Sequence, residues 1–252
     1  MMWGDFHTAN GVHHWGSIPY GNASAYLETR KREGRLLEDD LVKDLPKLPK
    51  THPLHAEWKK RQDTAKRFRL YQKMNSFKSA LEIGCGNGWF SNMLAQTAGM
   101  ERVVGLDVNQ PELEQAARVF ADEKIQWFCS DIFQWDGRNI QFDLIVLNAS
   151  VQYFQNIERL LMQCRQLLNP GGELHILDSK FYHTEEMVAA QQRSKTYYRE
   201  LGTPEMAGHY YHHNWDSVTD LQILYRPRRS MLGSFLRPNA SPFPWLCYKK
   251  KA

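Results

Sequence analysis

The chain has 252 residues, 42% of them hydrophobic and 24% charged, enough apolar material for one large α/β domain or a core domain with an added cap, and far from a disordered composition. A formal net charge of +4 falls short of the dense Lys/Arg surface of a dedicated nucleic-acid binder and favours anionic ligands only weakly. Four cysteines, Cys85, Cys129, Cys164 and Cys247, stand far apart with no CxxC pair, so no metal site is expected and the thiols read as structural ones in a reducing cytosol. The opening MMWGDFHTAN lacks the basic segment and apolar stretch of a signal peptide, and no apolar run approaches the roughly 20 residues that span a bilayer, so a cytoplasmic protein with no membrane attachment is expected.

The first 76 residues predict a lid and a helical cap. Residues 3–26 are rich in Gly, aromatic and His residues, including His13 and His14, and suit a lid in which Tyr20 and Tyr26 close on a ligand. ASAYLETRKREGRLLEDDLVKDL, residues 23–45, reads as a charged helix weakened by Gly34, and the three prolines of LPKLPKTHP end it. A second helix, rich in Lys and Arg, is expected over 54–74. Its cations interleave with Phe68, Leu70 and Tyr71, the pattern of an amphipathic face more than of a phosphate track.

From Phe77 the pattern changes to short apolar runs alternating with helical stretches. SALEIG, RVVGLD, IQWFCS, FDLIVLN and GELHILDS read as strands, with helices near 89–97, 111–121 and 156–168 between them. Near-continuous apolar strands separated by helices predict βαβ units and a parallel sheet covered on both faces. Asn169-Pro170-Gly171-Gly172 is a helix stop and a turn. Beyond residue 180 a further helix is expected in FYHTEEMVAAQQRSKTYYRE, and LQILYR and PWLCYKK supply the last strands. The chain therefore divides into an N-terminal cap (1–76), a ligand-binding core (77–180) and a C-terminal part of the same domain (181–252).

The chemistry concentrates at ALEIGCGNGWFS, residues 80–91. Glycines at 84, 86 and 88, with Cys85 between them, let the backbone approach a ligand closely before a helix starts. A dinucleotide fingerprint would need Gly or Ala where Trp89 stands, which disfavours NAD or FAD. Glu82 sits inside a buried strand, which is costly unless hydrogen bonds or a cation compensate it. Such a carboxylate accepts N–H groups of the glycine turn and presents negative charge to a cationic ligand. Asp107 and Asp131 follow at the ends of the next two strands, in register with the first acid.

ALEIGCGNG resembles the first motif of the class I S-adenosylmethionine-dependent methyltransferases, an acid, one residue, then G-x-G-x-G. The resemblance covers roughly residues 77–179 and implies a Rossmann-like, seven-stranded, mostly parallel sheet with S-adenosylmethionine as cofactor. It implies that Glu82, Gly84, Cys85, Gly86 and Gly88 line the donor site, that Asp107 takes the ribose hydroxyls, and that Asp131 meets the adenine amino group. Val108 and Ile132 would sandwich the adenine, and Asn148, with Ala149 and Ser150, would lie beside the sulfonium. The fourth strand lacks the NPPY or DPPY of base and glutamine amino-methylating enzymes, which argues for a small-molecule acceptor, methylated on oxygen or nitrogen, over nucleic acid. His209, His212 and His213 in GHYYHHNW are the candidate proton acceptors. Two other readings remain: an RNA or protein methyltransferase docking through the basic helix and the C-terminal lysines, and a partner subunit that binds the donor without catalysis.

Overall fold

The computed structural model describes residues 7–16, 20–135, 140–227 and 239–251, with residues 20–23 described in backbone only. Its order is β1 (His7–Ala9), β2 (Val12–His14), α1 (Tyr20–Arg32), α2 (Asp39–Lys43), α3 (His55–Met74), β3 (Ser79–Ile83), α4 (Trp89–Ala95), β4 (Arg102–Asp107), α5 (Gln110–Val119), β5 (Ile125–Cys129), β6 (Phe142–Asn148), α6 (Ile157–Leu167), β7 (Leu168–Leu177), β8 (Phe181–Tyr182), α7 (Thr184–Leu201), β9 (His213–Asn214), β10 (Gln222–Tyr225) and β11 (Trp245–Lys249). Among the described residues no helix is long and apolar enough to cross a membrane.

The main sheet runs β1-β2-β5-β4-β3-β6-β7-β11-β10. Its members from β2 to β7 are parallel, and β1, β11 and β10 are antiparallel to their neighbours. The order reverses between β3 and β6, so their carboxyl ends open a crevice at a switch point. The five central strands, the two late strands and the helices lie where the apolar runs place them, and the α/β class holds. Alternation along the strands divides the core: Ala80, Val103 and Leu144 pack with Phe68 of α3 and Phe90 of α4 on one face. Leu81, Val104 and Ile145 pack with Leu160 and Leu161 of α6 on the other.

Three local outcomes differ from the sequence reading. Among the described residues the sheet has nine strands instead of seven, because residues 7–14 form a hairpin that extends it at β5. Its two-residue turn, Asn10-Gly11, has φ of +50° and +78°, the primed hairpin turn that Asn-Gly favours. The flanking His and Thr residues carry no apolar run to announce strands, so this part of the expected lid is sheet. The helix expected over 23–45 is two helices separated around Gly34, whose φ is +65°. The helix stop at Asn169 is met within β7, which starts at Leu168 directly after α6 with a register shift against β6.

Candidate functional site

The turn after β3 is shaped by contacts that leave no room for side chains. Gly84 has φ +75°, and a Cβ on it would lie 2.5 Å from Cβ of Ser150; Ser150 in turn donates its hydroxyl to the carbonyl of Ile83 at 2.7 Å. That bond staples the loop after β6 to the end of β3. Gly88 has φ +74°, and its Cβ would lie 2.4 Å from the Trp127 ring and 2.7 Å from Ala116. The close packing of turn against sheet thus falls to Gly88, while Trp89 packs edge-on against Trp58 of α3.

The acids divide the work differently from the sequence reading. Asp107, at the end of β4, accepts the N–H of Gly86 at 2.8 Å and that of Asn109 at 2.9 Å. Glu82 accepts the hydroxyl of Ser91 in α4 at 2.5 Å, so the glycine turn is held by Asp107 rather than by Glu82. Burial, with the charge of Asp107 adding to it, pushes the Glu82 carboxyl up to about 8. Asp107 is also raised by burial, against the opposing pull of its backbone N–H donors. A further acid, Glu112 of α5, was missed. It accepts Asn109 Nδ2 at 2.7 Å, and burial, with Asp107 beside it, pushes it up to about 7. Its place as the third residue of a helix with Pro111 gave it the look of an ordinary first-turn acid.

Three cavities meet over these strand ends, and Tyr26 of α1 and Ala149 line all of them. A strand-end cavity of about 330 Å³ is lined by Gly84, Asp107, Val108, Asp131, Ile132 and His209, among others. A smaller one of about 100 Å³ lies over the glycine turn, with Glu82, Cys85, Gly86, Glu112 and Asn148 in its wall beside Arg30, Arg35 and Arg61. An outer cavity of about 510 Å³ extends beneath α1, α3 and α7. The expected donor-site residues are thus gathered at one crevice in two adjoining pockets, with Gly88 behind the turn as packing. Asp131 accepts the N–H of Phe133 at 3.0 Å, and Asn148 has a buried Oδ1 with no hydrogen-bond partner among the described residues.

The histidines separate. His209 lines the strand-end cavity, whereas His212 and His213 line none of the three. His212 lies 3.0 Å from the Ser194 hydroxyl. His213 is buried and donates Nε2–H to the carbonyl of Val151 at 3.0 Å, which ties β9 to the loop after β6. Burial holds both rings below the ordinary histidine value. Tyr26 is in place over the cleft, and the side chain of Tyr20 lies outside the described residues.

Two features that suggested other chemistry are absorbed by structure. In α3, Trp58, Ala65 and Phe68 are buried, and Arg61 and Arg67 pair with Glu57 and Asp63. Of the C-terminal lysines, Lys249 bonds Glu173 at 2.9 Å, and Lys250 bonds the carbonyls of Arg165 and Leu168. Glu173, His175 and Cys247 have their ligand-type atoms within 4.8 Å of one another. Both ring nitrogens of His175 are occupied, Nδ1 accepting Trp245 Nε1–H at 2.9 Å and Nε2 donating to Glu173 at 3.2 Å, and Tyr71 of α3 also donates to Glu173. This buried network joins β7, β11 and α3.

Residues 80–172 match the family profile of a methyltransferase domain. The chain is 28% identical over 94 residues to malonyl-[acyl-carrier protein] O-methyltransferase of Priestia megaterium, covering 37% of this chain and 34% of that protein. It is 28% identical over 116 residues to ribosomal RNA small subunit methyltransferase C of Haemophilus influenzae, covering 43% of this chain and 34% of that one. The chain therefore spans about a third of the length of these relatives. The N-methyltransferase NodS of Bradyrhizobium japonicum, in complex with S-adenosyl-L-homocysteine, superimposes with a TM-score of 0.54 at 19% identity, over 89% of this chain and 99% of that one. The similarity to NodS is one of fold.

Proposed function

We propose that this chain, whose residues 80–172 match the profile of a methyltransferase domain, is a class I S-adenosylmethionine-dependent methyltransferase that transfers the methyl group to an oxygen or nitrogen of a small molecule. One observation carries the reading: acids at the ends of three adjacent strands, a glycine turn held by one of them, and a buried acceptor atom without a partner all face one crevice.

The crevice fits the donor's chemistry. Asp107 uses its oxygens on two backbone N–H groups and keeps lone pairs for ribose hydroxyls. Asp131 and the backbone after it suit the adenine edge, with Ile132 and Val108 as apolar walls. Over the glycine turn, Glu82 and Asn148 Oδ1 suit an ammonium, while Arg30, Arg35 and Arg61 in the same wall suit a carboxylate. When bound, S-adenosylmethionine supplies an electrophilic methyl carbon on a sulfonium. The protein's part is to align the acceptor with that carbon and keep water out. Tyr26 and Ala149, common to all three cavities, stand where the acceptor would meet it.

The acceptor enters from the outer cavity in this reading. The engagement of Arg61, Arg67, Lys249 and Lys250 in internal bonds favours a small molecule over RNA docking. Calorimetry with S-adenosylmethionine or S-adenosylhomocysteine tests the proposal. Binding in the micromolar range is expected, and no binding to the wild-type protein overturns it.

A further inference from the structure

The outer cavity lies next to the strand-end cavity and differs from it in charge. Six of its lining residues are cations, Arg30, Arg35, Lys60, Arg61, Lys180 and Arg193, against three acids, Glu33, Glu57 and Asp178. The two glutamates are taken, whereas Asp178 keeps a buried Oδ2 with no hydrogen-bond partner among the described residues. Arg30 bonds Glu33 at 3.2 Å, Arg35 grips both oxygens of Glu57 at 2.6 and 2.7 Å, and Arg61 reaches Glu57 at 3.3 Å. Asp178 accepts the hydroxyls of Thr64 and Ser241 through Oδ1. Arg30, Arg35 and Arg61 also line the glycine-turn cavity. Lys60, Lys180 and Arg193 line the outer cavity alone, and none of the three pairs with a carboxylate among the described residues. Lys180 instead lies 4.6 Å over the ring of Tyr182.

About half of the remaining wall is aromatic. Tyr26 and Tyr153 meet edge to face at 5.4 Å, Tyr153 and Tyr210 at 6.0 Å, and Tyr198 lies 5.8 Å from Tyr210. Such a wall takes a flat apolar body. The cavity borders the crevice along Tyr26, Ala149, Tyr153 and Met206, which line both spaces. Ala149, at the end of β6, and Asp178, at the end of β7, are both held in left-handed backbone, with φ of +54° and +46°. Strain of this kind gathers where a site is shaped.

We infer that the methyl acceptor is a small organic anion, a carboxylate or a phosphate ester on a flat body, whose acid group is held by Lys60, Lys180 and Arg193 while its nucleophile faces the crevice at Ala149. The inference rests on the methyltransferase reading for its second half, since the anion site stands on the charges and rings alone. In the transfer the acceptor's lone pair forms the new bond to the methyl carbon, the carbon–sulfur bond breaks with its electrons to sulfur, and the acceptor's proton passes to solvent or a neighbouring base.

The test is calorimetry on the full chain saturated with S-adenosylhomocysteine, using 4-hydroxybenzoate, phenyl phosphate and neutral phenol as probes. At least one anion should bind tenfold or more tighter than phenol, and the comparison of the two acids identifies the group. In the Lys60→Gln/Arg193→Gln double variant, whose changes fall on exposed side chains, that preference should shrink to about twofold or less. Equal binding of phenol, no binding of either anion, or a preference that survives the double variant overturns the inference. Donor binding, measured first in the same protein, separates the two readings: its absence sinks the methyltransferase reading and leaves an anion preference to be judged by itself.

Discussion

The strand-end cavity and the outer cavity share Tyr26, Ala149, Tyr153 and Met206, yet they differ in charge and in construction. Among the described residues, the first has Asp107 and Asp131 in its wall and no lysine or arginine, and the second carries six cations against three acids. The first is floored by the ends of four consecutive parallel strands and the loops after them, with Tyr26 of α1 and Met206, His209 and Tyr211 closing it. The second is assembled from α1, α3, α7 and the segments around residues 152, 178 and 242. A pocket at strand ends is fixed by the sheet, whereas one roofed by helices depends on how distant segments pack, so the same fold can keep one and vary the other.

The contrast is open to direct attack, and the largest effect is expected at Asp107. Asp107→Ala removes the charge-assisted hydrogen bond from Gly86 that holds the turn and a second from Asn109, each worth about 1.5–3 kcal/mol, as well as the proposed ribose contacts. Donor affinity should fall by about 100-fold or more in calorimetry, while anion binding in the outer cavity survives; loss of both together would show that the two cavities are one unit. Next comes Gly84→Ala, which places a Cβ 2.5 Å from Ser150 on left-handed backbone. A cost of about 2–4 kcal/mol is expected, and thermal melting should fall by about 5–12 °C.

Glu82 sharpens the electrostatic half of the comparison. Its folded value, about 8, lies above the ordinary carboxyl value of about 4.3, so the native state binds the extra proton. The associated stability is fully present below the unfolded value and is lost as pH rises towards 8. The melting temperature of the ligand-free protein should therefore drop relative to Glu82→Gln between about pH 5 and 8, and donor affinity should rise over the same range as the carboxylate ionises against a cationic ligand. A constant difference between the two melting curves would remove Glu82 from this role. Smaller effects are expected in the outer wall. Tyr153→Phe loses the bond from Arg30 at 3.0 Å and should weaken anion binding by about threefold in calorimetry. The smallest belongs to His212, which lines none of the three cavities; His212→Gln should alter turnover by less than about twofold in a methyl-transfer assay.

Legibility followed the same division. The strands from 79 to 177, the turn at 84–88 and the acids at 82, 107 and 131 were visible because each is a local pattern, an apolar run ended by a polar residue at a fixed place. The hairpin at 7–14 had only its Asn-Gly turn to show, and its strands hold no apolar alternation. Glu112 looked like a helix-start acid until the fold set it beside Gly86. Nothing in the run GHYYHHNW distinguishes His209, in a cavity wall, from His213, buried against the Val151 carbonyl.

By itself the sequence determined the five central strands, the helices between them and the acids at 82, 107 and 131, because side-chain periodicity and turn chemistry act over a few residues and dictate which groups reach a strand end. Only the tertiary structure decided that Asp107 rather than Glu82 holds the glycine turn, and that Lys60, Lys180 and Arg193 border one cavity. Those relations join residues up to about 130 positions apart, and pairings over such separations arise from packing, which no local pattern encodes.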